Sequence, residues 1–373
     1  MGRRATVWAL VADAVPLYPL YALLFADSGL SEAQIAGLLA IWSVSGVVFQ
    51  VPAGIGADRF SRTGAMALGA VAQASAYVLW TAWPGLVVFA VGFALWGAGA
   101  SLVSGACEAW LYDSLTELGE PHRFQRLYGR LGAVELLAQI PAAGAATVLL
   151  PLGGFELVGW ASVTTCLTAA VLAARLPEPA RPARSSPRNP SARGTLGAGV
   201  RVLVGTPGVR GAVAVVALVT AVDDVEEFFP LLAEQWDVSA QWVPAATLGI
   251  HLAGAAGSLV AGRIRDRWTA PLLLAGVAMF AAAGLWADPP ALVLVAAFYA
   301  LYRGVLIVVS ARLQDRITDS DTRATVTSVA GVGTDLAGLL LLGAWAAAGL
   351  PAALVLTALV ACSLPYRGGH AAR

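Results

Sequence analysis

Twelve apolar runs dominate this chain, and each is long enough, or nearly so, to cross a hydrocarbon core about 30 Å thick. We number them spans 1 to 12, and they cover residues 5–26, 32–56, 63–82, 85–113, 125–149, 153–175, 208–231, 240–263, 269–287, 290–313, 323–346 and 349–365. Charged residues make up 12% of the chain, against about 25% in soluble domains. Because the short alternating segments of a membrane barrel do not occur, the sequence predicts an all-α integral membrane protein.

The arginines predict how the spans are oriented. All 23 basic residues are Arg, and every one except Arg303 lies at or beside the span ends on one side. The opposite ends carry acidic residues and no Arg. By the positive-inside rule both termini are cytoplasmic, which requires an even number of spans and so supports twelve. We expect a multi-pass protein of the cell membrane, either plasma or bacterial inner membrane.

A charged turn after span 2 recurs after span 8. Gly54, Asp58 and Arg59 of the first copy correspond to Gly262, Asp266 and Arg267 of the second, at a constant offset of 208 residues. The repeat predicts two pseudo-symmetric six-helix bundles, residues 1–176 and 208–373, around a central cavity. Residues 177–207, rich in Pro, Arg and Ser, are predicted to form a cytoplasmic linker. Duplicated membrane halves are typical of secondary transporters.

The pattern G-x-x-x-D-R-x-[GS]-R in residues 54–62, twelve spans as six plus six and a long middle linker resemble the major facilitator superfamily. The resemblance covers essentially the whole chain. Ser61 stands where the family usually has Gly, and the second copy lacks the final basic residue. The resemblance implies a transporter in which spans 1, 4, 7 and 10 line the central cavity, with spans 2, 5, 8 and 11 beside them.

In the resembled family the repeated turn is part of a gate. The residues that this implies here are Asp58, Arg59, Arg62, Glu108, Asp113, Asp266 and Arg267. Arg59 and Arg62 would pair with an acid at the cytoplasmic end of span 4, where Asp113 lies. Ion pairs that form in one state and break in another bias a two-state equilibrium. The alternative is that these arginines only determine the topology.

Ionisable residues inside the spans are the candidate site, because each costs about 3 kcal/mol or more at the bilayer centre. The candidates for a substrate or proton cavity are Asp13, Glu135, Asp223, Asp224, His251, Arg303 and Asp335. Glu135 and Asp335 are related by an offset of 200 residues, as symmetry mates would be. We expect that Glu135, Asp223, Asp224 or Asp335 titrates during a transport cycle, in competition with a cationic substrate.

Structural alternatives exist for several of these residues. Asp13 could pair with an Arg near the cytoplasmic face, His251 could be a core histidine, and Arg303 could only neutralise one acid. Glu226 and Glu227 could be solvated at the outer mouth of span 7. Aromatic residues on the inner spans could form an amphipathic wall. They are Trp8, Tyr18, Tyr21, Trp42, Trp110, Tyr299 and Tyr302.

Several function classes are disfavoured. The sequence has no G-x-x-x-x-G-K-[ST] phosphate loop, no H-E-x-x-H and no G-x-S-x-G, so we expect neither an ATP-driven pump nor an enzyme. The three cysteines and three histidines are too scattered for a metal site, and no cofactor or nucleic acid is expected.

An acidic cavity with one Arg favours proton-coupled efflux, an antiport, of small organic, cationic or amphipathic compounds. The stretch 140–145 keeps Pro141 and Gly144 of the drug-antiporter pattern G-P-x-x-G-G but lacks its flanking glycines. The alternatives are a proton-coupled metabolite uptake symporter and a non-transporting membrane sensor or scaffold. The expected partners are a small-molecule substrate, protons and the lipid bilayer, and we expect a monomer.

Overall fold

The computed structural model describes residues 2–59, 61–179, 207–316 and 320–364, without the side chains at 51, 54–59, 125, 207–209, 314–316 and 320–330. The described residues form helices and no strand. Contacts between Cα atoms group the chain into two compact units. The first comprises Met1–Ser186 with Ser239–Ala245, and the second comprises Pro187–Val238 with Ala246–Arg373.

The α-helices are numbered in chain order. In the first half they are α1 (Gly2–Asp13), α2 (Tyr21–Asp27), α3 (Glu32–Arg59), α4 (Arg62–Ala82), α5 (Leu86–Glu117) and α6 (Phe124–Ala174). In the second half they are α7 (Pro207–Ala221), α8 (Phe229–Gln235), α9 (Val243–Val260), α10 (Thr269–Trp286), α11 (Leu292–Arg316) and α12 (Ser320–Ser363).

Two of these helices contain a sharp internal break. The backbone leaves the helical region at Gly153 and Gly154 in α6, and at Ala348 and Gly349 in α12. The second residue of each pair has a positive φ, 63° at Gly154 and 61° at Gly349, which glycine adopts without steric cost. The breaks fall where the sequence separates span 5 from span 6 and span 11 from span 12.

Nine helical stretches in the described part of the chain are long and apolar enough to cross a membrane. The stretches that contain α6 and α12 each hold two spans, and the charged span 7 is not among the nine. The structure is therefore consistent with the twelve predicted spans, and the chain is a helical multi-pass membrane protein.

The predicted turn at residues 54–62 is shorter than expected. Helix α3 continues through Asp58 to Arg59, and α4 begins at Arg62. Hydropathy falls where a chain leaves the lipid, but a helix can continue into water because its backbone groups remain hydrogen-bonded to each other. Ser61 caps α4 by accepting a hydrogen bond from the backbone N–H of Gly64 at 2.9 Å.

Spans 1 and 7 are interrupted near their centres. Helix α1 ends at Asp13, and after four residues a 3₁₀ turn leads into α2. Pro16 and Pro19 cannot donate helical hydrogen bonds, and the free N–H of Leu17 binds the Oγ of the fully buried Ser162 at 2.9 Å. Between α7 and α8 the chain is a 3₁₀ helix over Val222–Phe228, followed by Pro230. Irregular backbone at membrane depth requires such internal partners.

Glycines let neighbouring helices approach closely in each unit. In the first unit, a Cβ on Gly69 would lie 2.6 Å from the carbonyl oxygen of Gly99. In the second unit, a Cβ on Gly257 of α9 would lie 1.9 Å from the carbonyl oxygen of Ala300 in α11. These distances are below van der Waals contact, so the backbones touch only because the residues lack a side chain.

The Gly257→Ala substitution is expected to lower stability by about 1–3 kcal/mol, because the added methyl group must push α9 away from α11. The control is Gly249→Ala on the same helix, where an added Cβ would meet no atom within 4 Å. Thermal unfolding of the purified protein in detergent measures both. Equal melting temperatures for the two variants would contradict the close contact.

Candidate functional site

A cavity of about 380 Å³ lies within the first unit, beside the interruption of span 1. Its polar lining side chains are Asp13, Tyr18, Gln73, Ser104, Tyr128, Glu135 and Gln139. Asp13 is the last residue of α1, and Glu135 lies on α6. The structure thus places two of the predicted site residues on one cavity.

The cavity combines acidic and aromatic chemistry. Asp13 and Glu135 are close enough for their negative charges to interact, and no Lys, Arg or His is among the described lining residues. Trp8, Tyr18 and Trp96 add aromatic surface, with the rings of Tyr18 and Trp96 in edge contact at 5.9 Å between centroids. Carboxylates and aromatic faces both attract cations, so this cavity suits a small cationic or amphipathic molecule.

A second polar group surrounds the 3₁₀ segment in the second unit. Arg303 on α11 donates hydrogen bonds to both carboxylate oxygens of Asp223, at 2.8 and 3.1 Å. The hydroxyl oxygen of Tyr299 lies 3.1 Å from Oδ1 of Asp223 and also contacts Glu226, so its single hydrogen can be donated to either carboxylate. His251 on α9 contacts Glu226, with 3.2 Å between Nε2 and Oε2. We call these five residues the Glu226 network.

The hydrogen bonds of His251 identify a proton-binding pair. Its Nδ1 lies 2.8 Å from the backbone carbonyl of Thr247, which can only accept, so Nδ1 carries a hydrogen. The contact between Nε2 and Glu226 then needs one further proton, located either on the imidazole or on the carboxylate. With that proton the Glu226 network is neutral, because Arg303 compensates Asp223. Without it the network carries one negative charge.

Local geometry explains why these side chains meet. A 3₁₀ helix has three residues per turn, so Asp223 and Glu226 point in the same direction. Tyr299 and Arg303 are four residues apart on α11 and share one face. Gly254 on α9 leaves the space they occupy, since a Cβ there would lie 2.5 Å from Tyr299 and 3.0 Å from Arg303.

The other predicted acids of the second unit lie nearby. An oxygen of Asp224 occupies the space over Gly338 of α12, where a Cβ would come within 2.2 Å of it. The charge of Asp335, one turn earlier on α12, acts on Asp224. The structure therefore brings Asp223 and Arg303 into direct contact, connects His251 to them through Glu226 and Tyr299, and places Asp224 near Asp335.

Contacts around the start of α4 connect three parts of the first unit. Arg62 forms an ion pair with Asp113 of α5, the contact predicted from the sequence, and donates to the carbonyl of Ala109 at 2.8 Å. Glu178, at the beginning of the predicted linker, accepts hydrogen bonds from Ser61 and from the backbone N–H of Arg62, at 2.9 and 2.8 Å. It also accepts from the hydroxyl and backbone N–H of Thr63, at 2.5 and 3.1 Å.

Glu178 therefore acts as an external cap for α4. A carboxylate at a helix N-terminus satisfies free N–H groups and interacts favourably with the helix dipole. Partial burial opposes ionisation, but the hydrogen bonds from Thr63, Arg62 and Ser61 outweigh it and lower the pKa of Glu178 below its ordinary value.

At the second copy of the turn, the turn supplies the acid and the neighbouring helix supplies the arginine, which is the reverse of the pair between Arg62 and Asp113. Asp266 on the turn pairs with Arg312 of α11, with 2.8 Å between Oδ1 and Nη2. The guanidinium of Arg267 lies 5.7 Å from the ring centre of Trp268.

Glu108 is an exposed residue of α5, next to Ala109. The side chains of Asp58 and Arg59 lie outside the described part, so their predicted contacts stay predictions.

Sequence reasoning missed several of these partners. Glu226 was counted in the acidic cluster of span 7, with a solvated position as the alternative, and was left out of the candidate cavity residues. Its spacing of three from Asp223 indicates a shared face in a 3₁₀ helix. Tyr299 was considered only as a wall residue, although it stands four positions before Arg303. Nothing local in the sequence indicated Glu178 or Arg312, which reach their partners across more than 40 residues.

A helical membrane fold with polar groups inside each unit defines a broad class, and comparison with known proteins identifies the family. Residues 6–342 match the Major Facilitator Superfamily, and the chain belongs to it. The resemblance noted in the sequence is confirmed.

The curated relatives that match include the enterobactin exporter EntS of Escherichia coli and of Escherichia fergusonii. Each is 30% identical over an alignment of 223 positions, and the alignment covers 52% of this chain and 52% of the relative. The chain therefore matches about half the length of these relatives.

Solved structures of similar fold include a D-xylose-proton symporter, with a TM-score of 0.71 and 14% identity, covering 97% of this chain and 96% of the other. The nucleoside transporter NupG has a TM-score of 0.73 and 13% identity, covering 97% and 95%. At such low identity these similarities concern the fold.

The Glu178→Gln substitution is expected to lower stability at neutral pH by about 1 kcal/mol or less, because a neutral amide caps α4 more weakly. Because folding lowers the pKa of Glu178, its contribution is complete above the unfolded value near 4.5 and is lost as the pH falls through the lower folded value. The difference between wild type and variant should therefore shrink in acid.

Melting temperatures of both proteins in detergent between about pH 7 and pH 3.5 test this linkage. Glu120→Gln is the control, since Glu120 is a partly exposed acid whose ion pair in the described part of the chain is with Arg123 three residues away. A difference that persists unchanged at the lowest pH would show that the charge of Glu178 is unimportant.

Proposed function

We propose that this protein is a secondary active transporter that works by alternating access and exports small organic, cationic or amphipathic compounds in exchange for protons. Family membership supports transport, and the similarity to an enterobactin exporter supports the outward direction. The observation that carries proton coupling is the contact between Glu226 and His251, which requires one proton.

The charge balance of the Glu226 network supplies a physical basis for coupling. An uncompensated charge is costly in a low-dielectric interior, so a state with a bare Glu226 is disfavoured unless water or a cation is nearby. Protonation of the pair removes that charge. A transporter whose conformational change is limited by its total uncompensated charge can therefore return either with a proton on the Glu226 network or with a cationic compound beside Asp13 and Glu135, which couples the two in opposite directions.

We assign compound binding to the cavity of the first unit. Its volume of about 380 Å³ falls within the range of small-molecule sites, about 300–1,000 Å³. Asp13 and Glu135 supply negative charge without a basic residue among the described lining, and aromatic rings supply apolar contact. In this assignment Asp224 and Asp335 support the proton pathway of the second unit.

The ion pairs beside the repeated turns are proposed as gate contacts. Arg62–Asp113 and Asp266–Arg312 each join a turn to the end of a neighbouring helix, so breaking them would release that helix. Asp58, Arg59, Glu108 and Arg267 belong to the same proposed gate. We further propose a monomer in the cell membrane with both termini in the cytoplasm, as the distribution of arginines predicts.

The structural similarity to a D-xylose-proton symporter supports a second candidate, proton-coupled uptake of a metabolite. The two candidates predict opposite relations between the proton gradient and the movement of the compound. Both dissipate the proton gradient, but an antiporter moves the compound against the proton flow, whereas a symporter moves the compound in the direction of the proton flow.

The first test uses proteoliposomes that hold a pH gradient, an internal pH-sensitive dye and a panel of cationic and neutral compounds. We expect addition of a transported compound to wild-type vesicles to dissipate the gradient. Glu226→Gln keeps the shape and a hydrogen bond to His251 but removes the negative charge that requires the proton. This variant should still exchange labelled compound across the membrane while moving protons about tenfold more slowly or worse.

The control is Asp237→Asn, which neutralises an exposed acid just after α8 at a positive-φ position that Asn tolerates. It should couple protons like the wild type. Wild-type compound flux without proton movement would overturn proton coupling, and flux with the gradient would establish the symporter. Unchanged coupling in Glu226→Gln would exclude the Glu226 network as the proton site.

The cavity assignment predicts a loss of affinity that depends on the charge of the compound. Asp13→Asn should weaken binding of a cationic compound about tenfold and leave a neutral analogue of equal size nearly unaffected. Equilibrium binding to the purified protein measures both. Asp27→Asn, at the exposed end of α2 and outside the cavity lining, is the control. Equal losses for the two compounds would mean that Asp13 only supports the structure.

A further inference from the structure

A second pocket of the first unit, of about 550 Å³, lies outside the proposed transport site. It is formed where the beginning of α1 meets the end of α6. Its lining residues are Arg3, Arg4, Val7, Leu172, Arg175 and Leu176. We call it the arginine pocket. None of these residues takes part in the compound cavity, the Glu226 network or the ion pairs of the turns.

No acidic group among the described lining residues compensates the positive charges of the arginine pocket. Three guanidinium groups from two helices line it. Arg3 and Arg4 are in the first turn of α1, where the helix dipole is also positive and disfavours cations. Such a concentration of positive charge attracts an anion, and guanidinium groups match the geometry of phosphate.

The rest of the pocket is apolar and opens onto apolar helix surface. Val7, Leu172 and Leu176 form its floor, and Val7 is 43% exposed. Leu10 lies one turn further along α1 and is 39% exposed, and Val171 of α6 is 49% exposed. Exposed apolar side chains on a membrane-spanning helix are suited to contact with hydrocarbon. The pocket thus joins an anion-binding end to a track suited to acyl chains.

We propose that the arginine pocket binds an anionic phospholipid, with the headgroup phosphate held by Arg3, Arg4 and Arg175 and an acyl chain lying along Val7 and Leu10. Basic pockets between membrane helices on the cytoplasmic side hold anionic headgroups in this way. The arginines lie on the side that the sequence predicts to be cytoplasmic.

The position of the pocket suggests what the lipid would do. Arg175 follows α6 directly, and three residues later Glu178 caps α4 beside the ion pair of Arg62 with Asp113. A lipid that holds the end of α6 therefore also holds the segment that carries Glu178. This effect needs no particular transported compound, so it is independent of the proposed export activity.

The test is native mass spectrometry of the full chain, purified in detergent and titrated with dioleoylphosphatidylglycerol. Dioleoylphosphatidylcholine has the same acyl chains without net charge, and inorganic phosphate has the anion without the chains. We expect the wild type to bind phosphatidylglycerol in preference to both. The combined variant Arg3→Gln, Arg4→Gln and Arg175→Gln should bind it roughly 10- to 100-fold more weakly.

The matched control removes three charges elsewhere, by Arg126→Gln, Arg210→Gln and Arg263→Gln. These arginines are exposed and do not line the pocket, so phosphatidylglycerol binding should stay at the wild-type level. The combined lysine variant at positions 3, 4 and 175 keeps the charge and should retain most of the binding. If the glutamine variant fails to fold, the affinities of the lysine variant and of the single variant Arg175→Gln for phosphatidylglycerol are compared instead. The proposal then requires weaker binding by Arg175→Gln than by the lysine variant.

Three results would overturn the proposal. Wild-type affinity for phosphatidylglycerol in the glutamine variant would exclude the arginines as ligands. Equal binding of phosphatidylcholine would mean an apolar groove without headgroup recognition. Equally tight binding of inorganic phosphate would identify a free anion, and not a lipid, as the occupant.

Discussion

The need to satisfy every backbone polar group inside hydrocarbon constrains this protein more than any other interaction. Spans 1 and 7 both leave the helical conformation near their centres, at Pro16 in the first and before Pro230 in the second. Side chains satisfy backbone groups beside each break: Ser162 accepts from the amide of Leu17, and the hydroxyl of Tyr302 donates to the carbonyl of Thr220 just before the 3₁₀ segment. Asp13 and Asp223 adjoin these breaks, so the same departures from helix position the candidate sites.

The two units treat their acidic residues differently. In the first, Asp13 and Glu135 line an open cavity with no basic residue among its described lining. In the second, Arg303 and His251 compensate Asp223 and Glu226 within hydrogen-bonding distance. A carboxylate that is already paired is poorly available to a cationic ligand, whereas one facing a cavity is available. This difference is the basis for assigning compound binding to one unit and proton binding to the other.

Some contacts were predictable from the sequence because they follow from position along helices. The boundaries between spans 5 and 6 and between spans 11 and 12 coincide with the backbone breaks, since loss of hydropathy and glycine occur together there. The pairing of Arg62 with Asp113 was expected from the resemblance to the family. The pairing of Asp266 with Arg312 was not expected, because the second copy of the turn uses the reverse order of charges and the sequence repeat alone does not reveal its partner.

The sequence by itself determined the class of fold, the number of candidate spans and which residues would need partners inside the membrane. These properties depend on hydropathy, segment length and the cost of buried charge, all of which can be read along one chain. Only the tertiary structure decided the partners themselves. The contact of Glu226 with His251, the cap that Glu178 supplies to α4 and the grouping of Arg3 and Arg4 with Arg175 all join distant positions. Their distances depend on how helices pack, and packing is set by many side chains at once.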